Sequence, residues 1–125
     1  MLRAVNEALD YYKGKDAFAA QTPYFKQLGD ASFLRQPSAN IQASPYVVDT
    51  LNTSFWCLMN SEQYFVAVKR AVNFGSDADT IGSITSMLAS LLYAPVTFPV
   101  NWLRDLKGRD QIRVAVSSAL ISNYF

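Results

Sequence analysis

Residues 74–93 read FGSDADTIGSITSMLASLLY, and this stretch decides the fold class. Gly75 and Ser76 interrupt the chain, the acids Asp77 and Asp79 follow, and a run rich in isoleucine, leucine and small residues continues to about Tyr93. An acidic residue just before a long apolar run marks a helix start, and a run of this length exceeds an ordinary strand. The stretch therefore predicts a glycine-broken turn feeding a long helix.

Outward from that helix, the spacing stays helical. Upstream, Ser61 opens a predicted helix in which Phe65, Val68 and Val72 align before Gly75 ends it. Before that, Ser44 and Pro45 form a helix start, an N-cap with proline at the first helical position. Val48, Leu51, Phe55, Leu58 and Met59 make the apolar stripe behind it. Leu2, Val5, Leu9 and Tyr12 share one face of a first helix stopped near Gly14, and 16–21 predicts a short helical turn before Pro23. Residues 22–44 predict a long loop with helical fragments, punctuated by Gly29, Pro37 and Pro45.

Downstream, Pro99 starts a short helix through Trp102 and Leu106 that halts at Gly108. Asp110 caps a last helix carrying Ile112, Ala115, Val116, Ala119 and Leu120. No strand pair with a hairpin turn stands out. The expectation is an all-α fold of roughly six helices in a single domain, with 1–44 a helix and loop region and 45–125 the helical core. Phe55, Trp56, Phe65, Tyr93 and Trp102 are expected in that core.

Composition narrows the chemistry. The chain has 125 residues, enough for one modest core, and half of them are apolar, so it is not a disordered composition. A net charge of +1 with scattered Lys and Arg gives no electrostatic case for nucleic acid or an acidic membrane. The absence of His excludes an imidazole base, and one cysteine, Cys57, excludes an internal disulfide or thiolate cluster. Catalysis would rest on carboxylates, hydroxyls, amides, Lys, Arg or an oxygen-bound metal. No apolar run reaches the about 20 residues of a membrane helix, and the charged N-terminus is unlike a signal peptide. The expected setting is the cytoplasm.

Asp77 and Asp79 admit two readings. Negative charge in the first turn favours a helix start, so capping accounts fully for one of them. Asp-x-Asp followed by Thr80 also supplies the hard oxygen donors that Mg²⁺ takes, with Gly75 and Ser76 as a hinge for close approach.

The segments YVVDTLNTSFWCL (46–58) and FVAVKRAVNFGSDADTIGSITSMLASLLYAPVTFPVNWLRDLKG (65–108) together resemble the C-terminal half of the ADP-ribosylglycohydrolase family. A tyrosine-valine-valine-aspartate-threonine-leucine helix, a glycine-x-aspartate-x-aspartate-threonine turn, a helix with small residues, a proline and a tryptophan-leucine pair occur in order. The resemblance implies an all-helical fold with two Mg²⁺ ions that hydrolyses the bond joining ADP-ribose to a protein side chain. It implies Asp77, Asp79 and Thr80 as metal ligands, with Tyr46, Gly75 and Ser76 near the substrate. The family's remaining ligands and its acidic residue beside the attacking water lie in an N-terminal half that this sequence does not display; no catalytic residue is assigned. The GDAS at 29–32 looks like an early family motif but lacks the following glycine. Ser86, Ser90 and Ala94 stand where the family usually has glycine.

The other polar and reactive residues have plainer readings. Asp49 reads as a solvated or capped position, with a supporting role at a site as the alternative. Cys57, among aromatic and apolar neighbours, reads as a buried inert thiol. Lys69 and Arg70 read as a solvated helix face. Two functions follow: an ADP-ribosyl hydrolase completed by a complementary N-terminal half, or a non-catalytic helical binding and assembly module. ADP-ribose or an ADP-ribosylated protein is the expected ligand of the first. Apolar faces without partners predict a homo-oligomer, most simply a two-fold dimer.

Overall fold

The computed structural model describes residues 2–93 and 98–122, all in helices, turns and loops. In chain order the helices are α1 (Leu2–Lys13), α2 (Asp16–Ala19), a 3₁₀ segment (Thr22–Gly29), α3 (Ala31–Leu34), a second 3₁₀ segment (Ser38–Asn40), α4 (Val47–Met59), α5 (Tyr64–Val72), α6 (Ala78–Leu92), α7 (Val100–Asp105) and α8 (Arg109–Ser122). The all-α expectation holds. The helix count is higher because 22–44 folds into three short helical pieces.

The centre is a three-helix arrangement of α4, α5 and α6. Ser54 Oγ on α4 donates to the Ile81 carbonyl early in α6, and Tyr93 Oη after α6 donates to the Leu58 carbonyl in α4's last turn and the Ser61 carbonyl just beyond it. Those pairings run in the same order along both helices, so α4 and α6 are parallel. α5 runs against them: Tyr64 at its start meets Ser86, and Val72 at its end meets Gly82. Small residues permit the approach. Ala67, Ala71 and Ala89 are fully buried, and a side chain at Gly82 would meet Val72 Cγ1 at 3.1 Å.

Two clusters form the core. Trp56, Cys57, Ala71 and Ile81 pack with Phe33, Leu34 and Ile41, so the segment 22–44 contributes three side chains to this cluster. Leu58, Tyr64, Ala67, Val68 and Ala89 form the second cluster. Trp56 Nε1 donates to the Gln36 carbonyl at 3.0 Å and Asn60 Nδ2 to the Leu34 carbonyl at 2.9 Å, which pins the irregular segment onto α4.

Several expectations are corrected. α4 begins at Val47, because Ser44 is spent on a turn: its Oγ accepts from Tyr46 N and donates to Asp49. α5 begins at Tyr64, because Ser61 Oγ turns back to the Cys57 carbonyl. Met59 and Tyr12 are exposed at the ends of their stripes. Phe65 and Trp102 are not core: they lie against each other at the surface, ring centroids 5.3 Å apart. Every described residue of α7 and α8 is exposed, including Ile112, Val116 and Leu120. Ala94 lies outside the described residues. No helix among them is long and apolar enough to cross a membrane.

Candidate functional site

Because α4 and α6 are parallel, Tyr46 and Asp77, their N-cap residues, stand at the same end of the bundle. Ser54 lies seven residues into α4 and Ile81 three into α6, an offset of four residues, so α4 projects about 6 Å farther at that end. Tyr46 is 53% exposed there, its ring free of aromatic neighbours among the described residues.

The aspartate turn is built by two consecutive left-handed residues, Gly75 at φ 67° and Ser76 at φ 51°. Glycine adopts that conformation freely, whereas serine does so at a cost of about 1 kcal/mol. The turn reverses the chain from α5 into α6. Asp77 is half-buried, and its carbonyl accepts the first helical bond from Ile81 N at 3.0 Å. Its carboxylate makes no capping bond. Asp79 is exposed, with Oδ1 accepting from Thr80 N at 2.9 Å. Thr80 is exposed too, and its carbonyl accepts from Ser83 Oγ at 3.3 Å. The capping alternative holds for one aspartate and fails for the other: Asp79 stands in the first turn and accepts from a free N–H of that turn, while Asp77 holds the N-cap position without using its side chain to cap.

Asp77, Asp79, Thr80, Gly75 and Ser76 thus share one turn, and Tyr46 shares their end of the bundle. Asp49 does not join them. It is half-buried on the first turn of α4, where Oδ2 accepts from Ser44 Oγ at 2.6 Å and Gln42 Nε2 at 3.0 Å. It therefore ties the entering loop to the helix and is not a solvated position. Among the described residues no three carboxylate, thiol or imidazole side chains gather closely enough to hold a metal. The turn offers hard oxygen donors of the kind Mg²⁺ takes, in a number that fits part of a coordination shell.

The remaining candidates resolve simply. Asp30 in GDAS caps α3, accepting from Ser32 N at 2.7 Å and Ser32 Oγ at 2.8 Å, and those bonds hold its carboxyl below the ordinary aspartate value. Cys57 is completely buried, and burial pushes its thiol up to about 12, so it is inert. Arg70 departs from the solvated reading. It is half-buried, with its guanidinium 5.4 Å from the centre of the Trp56 ring. Both serines at family glycine positions have found partners: Ser86 Oγ pairs with Tyr64 Oη at 2.6 Å, and Ser90 Oγ donates to the Met87 carbonyl at 2.7 Å.

The sequence reading missed the polar face of α4. Thr50, Asn52, Thr53 and Ser54 are all buried, and the interruption of the apolar stripe by DTLNTS was its signal.

The chain matches the family described as ADP-ribosylglycohydrolase over residues 1–124, so the likeness extends through 1–44, beyond the motifs. It is 35% identical over 72 residues to the ADP-ribosylarginine hydrolase Tri1 of Serratia proteamaculans (strain 568), covering 58% of this chain and 20% of that protein. With the protein of the same name from Pseudomonas putida (strain GB-1) it is 33% identical over 73 residues, again 58% of this chain and 20% of the relative. With the ADP-ribosyl-[dinitrogen reductase] glycohydrolase of Rhodospirillum rubrum it is 35% identical over 81 residues, 63% of this chain and 28% of the relative. The matched part is thus a fifth to just over a quarter of each curated relative's length. No solved structure matches the chain.

Proposed function

Because the chain belongs to the ADP-ribosylglycohydrolase family, we propose that Asp77, Asp79 and Thr80 form part of a Mg²⁺ site in a domain that hydrolyses the glycosidic bond between ADP-ribose and a protein side chain. The observation that carries this reading is the unspent oxygen at the turn. Asp77 makes no capping bond, and Asp79 commits one oxygen to Thr80 N–H.

Each residue has a task in that reading. Asp77 and Asp79 hold the cation by carboxylate, Thr80 by its hydroxyl, and bound Mg²⁺ supplies orientation of ribose hydroxyls and charge stabilisation at the anomeric carbon. The approach to the turn is open at Gly75, where an added Cβ would meet nothing within 4 Å. The exposed ring of Tyr46, at the same end of the bundle, offers a stacking face for adenine or ribose. The remaining ligands and the group that activates water come from outside the turn, on a complementary polypeptide or another segment of a longer one. The single inert thiol suits a cytoplasmic, reducing setting.

Calorimetric titration of Mg²⁺ and ADP-ribose into the chain, and into an Asp77→Ala/Asp79→Ala variant, tests the assignment. Binding that disappears in the variant supports it. Equal binding by both proteins, or none by either, sinks it for this polypeptide.

A second reading, a non-catalytic helical module that self-associates, draws on a separate observation. The accessible surface is 8814 Å², against about 6,700 Å² for a folded monomer of 13.9 kDa. Large apolar side chains stand in that exposed surface, Ile112, Val114, Val116, Leu120 and Ile121 of α8 among them. A surplus of about 2,000 Å² on one chain exceeds the about 800 Å² that each partner buries in a standard interface. Sedimentation at micromolar concentration distinguishes the readings: a dimer supports assembly, and a monodisperse monomer refutes it.

A further inference from the structure

An apolar groove of about 480 Å³ lies between α1 and α4. Val5, Leu9 and Tyr12 line it from α1, Leu51 and Phe55 from α4, and buried Leu28 from the first 3₁₀ segment. No charged side chain among the described residues lines it. Phe55 also lines a second apolar hollow, of about 250 Å³, together with Leu88, Leu91 and Leu92 of α6. One apolar band thus runs from α1 across α4 to α6. Val48 and Leu58, in the stripe of α4, are buried, whereas Leu51 and Phe55 face the band and stay half-buried.

The same chain carries a helix that suits this band. Along the 14 residues of α8, about 21 Å, Ile112, Ala115, Val116, Ala119 and Leu120 fall at i, i+3, i+4, i+7 and i+8. That spacing makes one apolar stripe, and none of it is buried. Ala115 and Ala119 keep its centre low, so the helix can settle between two walls. An amphipathic helix laid in an apolar groove is a recurrent mode of recognition. We propose that α8 of a second copy occupies the groove between α1 and α4 and its continuation over α6, each copy of a two-fold dimer giving one helix and receiving the other's. The area agrees with such a double contact. The surplus of about 2,000 Å² over a folded monomer of this mass is more than twice the about 800 Å² per partner of a standard interface, and each chain covers both a groove and a helix. The inference rests on the self-association reading and is independent of the hydrolase reading.

The test is sedimentation of the native chain and three variants, each checked for a dispersed amide spectrum. Leu120→Asp alters the stripe of α8, Ala8→Asp alters an exposed position lining the groove, and Val114→Asp alters the opposite face of α8. The native chain is expected to dimerise, with a dissociation constant raised at least tenfold in the first two variants and less than twofold in the third. A dimer that both Leu120→Asp and Ala8→Asp leave unchanged, or that Val114→Asp weakens as much as they do, overturns the proposal while self-association stands. A monomeric native chain overturns both and leaves the groove to a partner of another sequence. Should Ala8→Asp fail to fold, disulfide capture replaces it. Ala8→Cys chains mixed with Ala119→Cys chains are expected to cross-link at least fivefold more than with Val114→Cys chains, and equal yields overturn the proposal.

Discussion

Residues 47–92 and residues 100–122 are both helical and both studded with large aliphatic side chains, yet they meet opposite fates. In the first region Cys57, Ala67, Ala71, Ile81 and Ala89 lose all contact with water. In the second, every side chain is exposed. Hydrophobicity does not separate them; the availability of a neighbour does. The central helices carry alanine and glycine where they cross, so backbones approach and the larger residues interlock. Among the described residues α7 meets the bundle only at its edge, through Trp102 against Phe65, and every side chain of α8 is exposed. Apolar spacing names the face a helix seeks to bury, but not what buries it.

The contrast can be broken most forcefully at Cys57. Its thiol holds a proton in the folded state up to about pH 12 that an unfolded chain gives up near pH 9.0. Stability from this group is complete below pH 9.0 and drains away as pH rises toward 12. The loss is on the order of 4 kcal/mol at the upper limit. Urea unfolding across that window should show a falling stability that is markedly flatter in Cys57→Ala; parallel slopes would mean that the centre is wetter than described.

Leu58→Ala should cost about 3 kcal/mol, since the residue is fully enclosed, whereas Leu120→Ala should change stability by less than about 0.5 kcal/mol in dilute solution. Comparable losses at both positions would erase the distinction between the regions. Tyr93→Phe removes a hydroxyl that donates to two carbonyls, those of Leu58 and Ser61, and should cost about 1–2 kcal/mol in chemical denaturation. The smallest effect sharpens the picture at the aspartate turn: Ser76→Gly should stabilise by about 1 kcal/mol by relieving a left-handed serine. A neutral or negative result in thermal melting would show that Ser76 gains a compensating contact.

How much of this could be read beforehand depended on whether the signal was local. The turn before α6 was legible because glycine, serine and alternating aspartates act within five residues, and the structure keeps them in one turn. The helices were legible from their period. Their starts were not, because Ser44 and Ser61 look like caps until one sees Ser44 bonded to Asp49 and Ser61 to the Cys57 carbonyl. The cluster of Phe33, Leu34 and Ile41 was hidden because it comes from an irregular segment whose burial depends on docking to Trp56 and Asn60. The groove beside Leu51 and Phe55 was hidden for the same reason, since Leu9 and Leu28 reach it from a distance in sequence.

Tyr93 closes the register between α4 and α6 by reaching two carbonyls across the bundle, and this has a bearing on how the molecule breathes. Amide protons in α4, α5 and α6 can reach deuterated solvent only when that whole unit opens at once. Those of α8, whose described side chains are all exposed, can escape one turn at a time in the monomer. Deuterium uptake should therefore draw a sharp line between the two, with the slowest amides on one side and nearly unprotected ones on the other.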